Sequence, residues 1–355
     1  MEILKNEIIN EEDIKTSNYD FVLPEELIAQ IPVSPRDRSR LLVYNKKTNE
    51  IKHTNFYNII NFLNKGDLLV LNNTRVIPAK IYGIKDKTGA RVEFLLTKPI
   101  NNNSWLTLAK RSKRVKINDT FTFGEKIKAR VIKVGNLGER TLQFYYDNNL
   151  NFLDLLKEFG EVPLPPYINQ KLDNPDQYQT IYAQVNGSVA APTAGFHFTK
   201  ELIEQLKNKG IKFAYITLHI NIGTFRPVKT EIITEHKMHK EFFSISKQTA
   251  EILNIQKNSF KKIIAVGTTV LRALETVFNK FNKFVEYEGE TDIFIYPGKS
   301  INSISGMITN FHLPRSTLIM LVSAFVGREK ILSIYKEAIE KKYRFFSFGD
   351  SMFIL

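Results

Sequence analysis

Lys262-Ile263-Ile264-Ala265-Val266-Gly267-Thr268-Thr269-Val270-Leu271-Arg272 is the stretch on which the fold class turns. Its unbroken apolar run, rich in β-branched residues, reads as a strand covered on both faces, the kind a parallel sheet uses. Gly267 supplies the turn, and the threonines open a helix that the pattern carries through Val277. The same alternation surrounds it. Thr199 caps a helix predicted over Lys200 to Asn208, Gly210 stops it, and Lys212 to Leu218 reads as a strand. A further strand is predicted over Asp292 to Tyr296 and an apolar helix over Pro314 to Phe325. Strands alternating with helices imply a three-layer α/β domain with a mostly parallel sheet.

Upstream the texture differs. From Gly66 to about Asp147 short β-rich runs follow one another: Leu68 to Leu71, Val76 to Tyr82, Arg91 to Leu96, Trp105 to Leu108, Thr120 to Phe123, Ala129 to Val134 and Thr141 to Tyr146. Gly, Asn and Asp punctuate them, a rhythm that predicts an antiparallel barrel or sandwich. Gly160 to Tyr167 is a linker stiffened by prolines. The simplest layout is a discontinuous α/β domain built from residues 1–65 and 157–355, with a β-rich domain of residues 66–156 inserted. Residues 1 to about 15 read as a loose polar extension, and Pro24 to Gln30 as a short helix.

Of the 355 residues 43% are apolar and 25% charged, which places the chain among folded proteins with a large core. Lys and Arg number 50 against 37 Asp and Glu, a net charge of +13. That excess suits a polyanionic partner, and equally a lysine-rich surface without one. There is no cysteine, which excludes disulfides, thiolate zinc sites, catalytic thiols and cysteine-ligated iron–sulfur clusters, and fits a cytoplasmic setting. The first residues carry no signal pattern, and the apolar run Leu318 to Val322 is far short of the ~20 residues of a membrane span.

Several segments carry candidate chemistry. Gly187 to Thr199 concentrates small residues that let backbone approach a ligand, with Thr193 and His197 as polar handles; a tight loop packed before a helix has the same composition. Thr217 to Pro227 places His219 at a strand end, where open α/β sheets bind ligands. Asn221, Gly223 and Thr224 suit a tight loop there, and Arg226 offers a bidentate grip on a carboxylate or phosphate. His236 and His239 lack the order of a zinc protease motif and read as hydrogen-bonding or proton-transfer groups, so no metal site is expected. Gly267, Thr268 and Thr269 at a helix start suit an anion, with Arg272 one turn in; an ordinary strand-to-helix turn with a threonine cap has the same sequence. Asp292, Asn310, His312 and Asp350 also sit at predicted strand ends. Lys110 to Lys116 is the densest basic cluster, suited to phosphates or to a solvated hairpin.

The order and spacing of these segments are more specific than any one of them. Tyr19 to Pro24, Pro35 to Leu42, Asn73 to Ala79, Pro165 to Ile168, Tyr178 to Ala183, Ala190 to Gly195, His219 to Pro227, Met238 to Glu241, Val266 to Thr269, Thr309 to Pro314 and Tyr343 to Asp350 together resemble one family. It is the S-adenosylmethionine:tRNA ribosyltransferase-isomerase family of queuosine biosynthesis, and the resemblance runs from about Ile14 to the C-terminus. Departures are few: Asn73 stands where the family often has Asp, Asn221 where Gly is usual, and Phe196 where Leu is usual.

The resemblance implies a discontinuous α/β domain with an inserted antiparallel β-barrel. It implies S-adenosylmethionine as a ribosyl-donating cosubstrate, with no permanently bound cofactor and no metal. The implied partner is tRNA carrying 7-aminomethyl-7-deazaguanine at the wobble position; the products are epoxyqueuosine, adenine and methionine. A monomeric cytoplasmic enzyme is expected. Such a reaction needs a base for a C5′ hydrogen acidified by the sulfonium, a proton donor for adenine, and anchors for carboxylate and ribose. His219 or His239 is the candidate base. Arg226, Arg272 and the Gly267-Thr268-Thr269 helix start are candidates for the anion, and Asp292, Asn310 and His312 for ribose or the deazaguanine edge. Thr193, His197, Gly223 and Thr224 complete the candidate cosubstrate contacts, and Arg111, Lys113, Arg114 and Lys116 the candidate contacts to the tRNA backbone. Two other classes fit less well: a methyltransferase using the same cosubstrate, for which the Gly-rich fingerprint is missing, and a non-catalytic tRNA-binding protein.

Overall fold

A computed structural model of the chain describes residues 10–124, 127–147, 149–170, 172–221, 223 and 227–355. The chain divides into two compact units. One takes the chain up to Thr74 together with Pro166–Val185 and Ala191–Leu355; the other takes Arg75–Pro165 and Asn186–Ala190.

The first unit is built on a nine-stranded sheet. Its central strand, Leu68–Asn72, has all five residues buried and pairs in parallel with Lys212–Leu218 on one side and Ile263–Val266 on the other. Gly306–Asn310 adds a fourth parallel strand. Beyond Lys212–Leu218 lie Glu241–Ile245 and Tyr287–Thr291, both in antiparallel pairings. On the opposite side Ser351–Ile354 runs antiparallel to Gly306–Asn310 and parallel to Arg40–Asn45, whose hairpin partner Glu50–Asn55 closes the edge. Four of the eight pairings are therefore parallel and four antiparallel, so the sheet is mixed rather than mostly parallel. Of the antiparallel pairs only Arg40–Asn45 with Glu50–Asn55 is a short hairpin; the others join strands separated by long stretches of chain.

Helices cover both faces. Leu69, Leu71, Ile264, Val266, Ile308 and Phe353 pack with Phe56, Ile59, Phe198, Leu202 and Leu206 on one side. The alternate strand positions Leu68, Val70 and Ala265 are fully buried too, beneath the layer that holds the helix Thr268–Phe281. At roughly 1.5–3 kcal/mol per buried large side chain, this double-sided core is the main stabilising term.

Several local expectations hold to the residue. The helix Lys200–Asn208 is capped by Thr199, whose Oγ1 accepts from the Leu202 N–H at 3.1 Å, and the strand Lys212–Leu218 follows. Others shift. The helix opened by Thr268 runs on to Phe281, where Asn282 ends it with a left-handed φ of 53°. The helix after Pro314 starts at Thr317 behind a Ser316 cap. Pro24 to Gln30 holds only the single 3-10 turn Glu25–Leu27. Of the stretch read as a loose extension, Glu11–Ile14 forms a 3-10 turn, and Asp13 pairs with Arg328 at 2.7 Å. Leu68 to Leu71 is no barrel strand but the centre of the α/β sheet, as its burial on both faces demands. Asp292 to Tyr296 is a loop. The strand lies one step earlier at Tyr287–Thr291, where a half-polar sequence suits a sheet edge with one neighbour.

The second unit is a closed six-stranded antiparallel barrel, ordered Glu139–Tyr145, Ser104–Ala109, Arg91–Asn101, Lys80–Lys85, Thr120–Phe123, Ile127–Val134. Alternation is plain in Ile127–Val134, where Ile127, Ala129 and Val131 face inward. The interior is aromatic: Phe94 meets Phe121 edge-on at 5.0 Å, and Phe144 lies 4.7 Å from Phe152 of the helix Phe152–Phe159. Gly83 is needed for close approach, since a Cβ there falls 2.8 Å from the Phe123 ring. Gly83→Ala is therefore expected to destabilise the barrel by about 1–3 kcal/mol, read as a lower urea midpoint with an unchanged slope.

Candidate active site

The parallel core delivers several chain segments to one edge of the sheet. Thr74 follows Leu68–Asn72, His219 follows Lys212–Leu218, Gly267 follows Ile263–Val266, and His312 lies two residues past Gly306–Asn310. Asp350 precedes the oppositely directed Ser351–Ile354, which brings the residues before it to the same edge. This is the carboxyl-end crevice where open α/β sheets hold ligands.

A cleft opens at that edge, lined among others by Thr193, Gly267, Thr268, Thr269, Asn310 and His312. All of these were singled out from the sequence. No charged side chain lines the cleft among the described residues. Asn310 Nδ2 donates to the Phe346 carbonyl at 2.9 Å, and the Thr193 hydroxyl donates to Asn310 Oδ1 at 3.4 Å. His312 is held by Thr309 Oγ1 at 2.8 Å, and its backbone N–H donates to the Tyr335 hydroxyl at 3.0 Å. Burial pushes the His312 imidazole down to about 3, so it is neutral at physiological pH. Gly267, at φ 96°, heads the fourteen-residue helix Thr268–Phe281, whose first N–H groups have no acceptor within the helix.

Beside the cleft, the loop after Lys212–Leu218 carries His219. Its Nδ1 lies 2.7 Å from Thr74 Oγ1, and its ring stacks on Phe242 with centroids 5.6 Å apart. Burial lowers its pKa to about 4. The backbone at Gly223 lies against the His239 ring, where a Cβ would collide. His219, Gly223 and His239 thus belong to one loop cluster, with Ile220 of the same loop lining the cleft. Asn73 Oδ1 accepts from the Thr217 hydroxyl at 2.7 Å, a bond that an Asp at this position would make through the same oxygen.

The queuosine biosynthesis protein family model matches residues 16–354. The chain is 51% identical over 343 residues to an S-adenosylmethionine:tRNA ribosyltransferase-isomerase from Staphylococcus haemolyticus, spanning 96% of this chain and all of that one. It is 53% identical, with the same spans, to its namesake from a Thermoanaerobacter species. The crystal structure of an S-adenosylmethionine tRNA ribosyltransferase from Thermotoga maritima superposes with a TM-score of 0.56 at 39% identity, covering 96% of this chain and 100% of that one. The chain belongs to the queuosine biosynthesis family.

Not every candidate residue of this family member reaches the cleft. Arg272 is buried and paired with Glu241, a residue that also accepts the Asn221 N–H at 2.8 Å. Arg272 thus reaches the His219 loop through Glu241, while its Nη2 is buried with no hydrogen-bond partner among the described residues. Asn221, the departure from Gly, turns its side chain to the Lys240 carbonyl at 3.4 Å. His197 is a core residue: its Nδ1 meets Ser39 Oγ at 2.7 Å, its ring packs on Phe56, and burial lowers its pKa to about 3. Asp292 is exposed at the end of Tyr287–Thr291 and does not line the cleft. Thr224 and Arg226 lie outside the described residues.

Sequence reasoning missed an aromatic wall. Tyr167 stacks on Phe346 with centroids 4.3 Å apart and planes 26° from parallel, and its hydroxyl meets Ser347 Oγ at 2.6 Å. Phe346 takes a left-handed φ of 72°, uncommon for a bulky residue and a mark of a constrained position. The sequence reads the segment holding Tyr167 as a linker and the one holding Phe346 as a strand end, since nothing local brings residues so far apart together.

The buried imidazoles predict an acid sensitivity. The folded pKa of His312, about 3, lies below the ordinary 6.5, so the unfolded chain takes up a proton that the folded chain refuses. Stability should fall as pH drops from about 6.5 toward 3, by up to about 1.4 kcal/mol per pH unit for this group. Urea denaturation at pH 7 and pH 5 should show a shallower loss in His312→Gln than in the parent.

Proposed function

We propose that the protein transfers and isomerises the ribosyl group of S-adenosylmethionine onto the aminomethyl group of 7-aminomethyl-7-deazaguanine in the tRNA anticodon, giving epoxyqueuosine and releasing adenine and methionine. The observation that carries this reading is the uncharged cleft at the carboxyl edge of the parallel strands, with a helix N-terminus at one side and a held, neutral histidine beside it. The α/β unit is the catalytic domain and works with no resident cofactor; the protein acts as a cytoplasmic monomer.

The cosubstrate is zwitterionic at its methionine end and cationic at sulfur. The free N–H groups at Thr268 and Thr269 suit its carboxylate. Neutral dipoles and the Tyr167–Phe346 wall suit a sulfonium and a flat purine ring better than a lysine or arginine would. Thr193, Asn310 and His312 offer hydrogen bonds to ribose or to the deazaguanine edge. Arg226, Gly223 and Thr224 are the loop contacts to the cosubstrate, and Asp292 reaches the acceptor.

His219 is the base. The Thr74 hydroxyl has the Val185 carbonyl at 3.5 Å as the acceptor for its own proton, so its oxygen accepts the His219 Nδ1–H. That leaves a lone pair on Nε2, and the lowered pKa keeps the ring unprotonated at neutral pH. Nε2 then takes the C5′ proton; the electron pair left there forms a C4′–C5′ double bond as the C4′–O4′ bond breaks, and O4′ forms a carbonyl at C1′ as the bond to adenine breaks, adenine leaving with a proton. The amine adds to C4′ and gives up a proton, and the electron pair returned to C5′ closes the carbocycle on C1′, whose oxygen then attacks C5′. Closure of the epoxide expels methionine. His239, on the exposed side of the same loop, is the second proton-transfer group.

Mass spectrometry of a reaction with S-adenosylmethionine and tRNA bearing the aminomethyl base should find adenine, methionine and an epoxide-bearing nucleoside. S-adenosylhomocysteine would instead mark a methyltransferase, and tRNA binding without turnover a binding protein. His219→Asn is expected to lower kcat about 10²–10⁴-fold while cosubstrate affinity stays within a few-fold. Thr74→Val should lower kcat about 10-fold, and Thr74→Ser should restore it, because only the serine keeps the acceptor for Nδ1–H.

A further inference from the structure

The barrel carries a second built feature, remote in sequence from the catalytic loops. Lys110 to Lys116 connects Ser104–Ala109 to Thr120–Phe123, and its backbone is pinned from below by Arg140. Arg140 is buried, and its guanidinium donates to the carbonyls of Val115 at 2.7 Å, Ser112 at 2.5 Å and Glu139 at 2.6 Å. From the side, Lys85 donates to the Arg114 carbonyl at 3.1 Å and pairs with Asp119 at 2.6 Å, and Asp119 accepts the Lys116 N–H at 2.7 Å. Arg111 is held at a left-handed φ of 56°, a conformation a non-glycine residue keeps only when its surroundings enforce it. A solvated hairpin has no need of a buried arginine beneath it. This one is shaped.

What it shapes is a groove lined by Tyr82, Arg91, Lys110, Arg111 and Arg114, with Glu93 as the acidic member. Lys110 is paired with Glu93 at 3.5 Å, and Lys85 with Asp119. Arg91, Arg111 and Arg114 are exposed and enter no ion pair among the described residues. The Arg91 guanidinium lies 4.0 Å over the Tyr82 ring, which fixes its plane and leaves its edge donors outward. Three unpaired planar cations on a rigid frame are suited to phosphate oxygens. Lys113 and Lys116 of the same run do not line this groove.

We propose that this groove binds the sugar–phosphate backbone of the tRNA substrate through Arg91, Arg111 and Arg114. The proposal rests on tRNA being the substrate. It differs from a general basic-surface attraction in assigning the contact to these arginines and not to the neighbouring lysines.

The test compares Arg91→Ala/Arg111→Ala/Arg114→Ala with Lys113→Ala/Lys116→Ala in the full chain. The arginine variant should raise KM for tRNA at least 10-fold with kcat and the KM for S-adenosylmethionine unchanged. Its tRNA affinity should depend less on salt, the slope of log K against log salt dropping by about 2–3, as each lost phosphate contact removes about 0.7–0.9. The lysine variant should move both readouts much less, and all variants should melt with the parent because every altered side chain is exposed. An unchanged KM and salt slope in the arginine variant, or an equal loss in the lysine variant, would overturn the proposal. Binding and its salt slope are read without turnover, so a failure of the proposed reaction leaves the groove independently tested.

Discussion

One buried amide ties the catalytic edge together. Asn72 ends the central strand, and its Oδ1 accepts the backbone N–H of Leu218 at 3.0 Å and of Thr74 at 3.2 Å. Its Nδ2 donates to the Leu218 carbonyl at 2.9 Å and faces Thr269 Oγ1 at 3.4 Å. A single side chain therefore sets the start of the His219 loop, the position of the Thr74 hydroxyl and the first turn of the Thr268–Phe281 helix. Buried amides with all their partners met are rigid and specific, because any displacement strands a polar group where no water can replace it. Thr74 holds His219, and Thr269 lines the cleft, so the placement of that imidazole and of one wall of the cleft both follow from this residue.

The two units handle charge in different ways. The cleft of the α/β unit is lined by hydroxyls, amides, a neutral histidine and aromatic faces, whereas the barrel groove carries five cations against one acid. A sulfonium is tolerated by the first environment and repelled by the second; a phosphodiester is the reverse. Residue 272 shows how strictly the division is kept. An arginine one turn into the helix is paired with Glu241, whose other oxygen accepts the Asn221 N–H.

Much of this was legible in the sequence because it is local. The run Ile263 to Val266 followed by Gly267-Thr268-Thr269 announces strand, turn and helix within a few residues, and the barrel strands alternate as barrel strands must. Thr193, Gly267, Thr268, Thr269, Asn310 and His312 were singled out from strand ends and loops, and the cleft joins them. What escaped is non-local or looks alike from either side. Leu68 to Leu71 reads the same whether a barrel or an open sheet takes it, and only its parallel partners, far along the chain, decide. His197 and Arg272 carry polar groups that suit a ligand or a core partner: Ser39 and Glu241 take one nitrogen of each, and His197 Nε2 and Arg272 Nη2 stay buried without a hydrogen-bond partner among the described residues. The Tyr167–Phe346 wall joins segments about 180 residues apart, which no periodicity predicts.

The order of strands also has a bearing on how the chain is made. The barrel is almost continuous in sequence, and its strands all lie between Lys80 and Tyr145, so it can close while the ribosome is still far from the end. The α/β sheet cannot. Its central strand emerges early with a row of unsatisfied backbone groups on each side, and must wait for Lys212–Leu218 and Ile263–Val266. Ser351–Ile354 then enters between Gly306–Asn310 and Arg40–Asn45, joining strands from the two ends of the described chain. Until that moment Arg40–Asn45 and Glu50–Asn55 form a hairpin with an open edge. Translation of this chain thus has a long interval in which every barrel strand has been made while the sheet still lacks most of its strands.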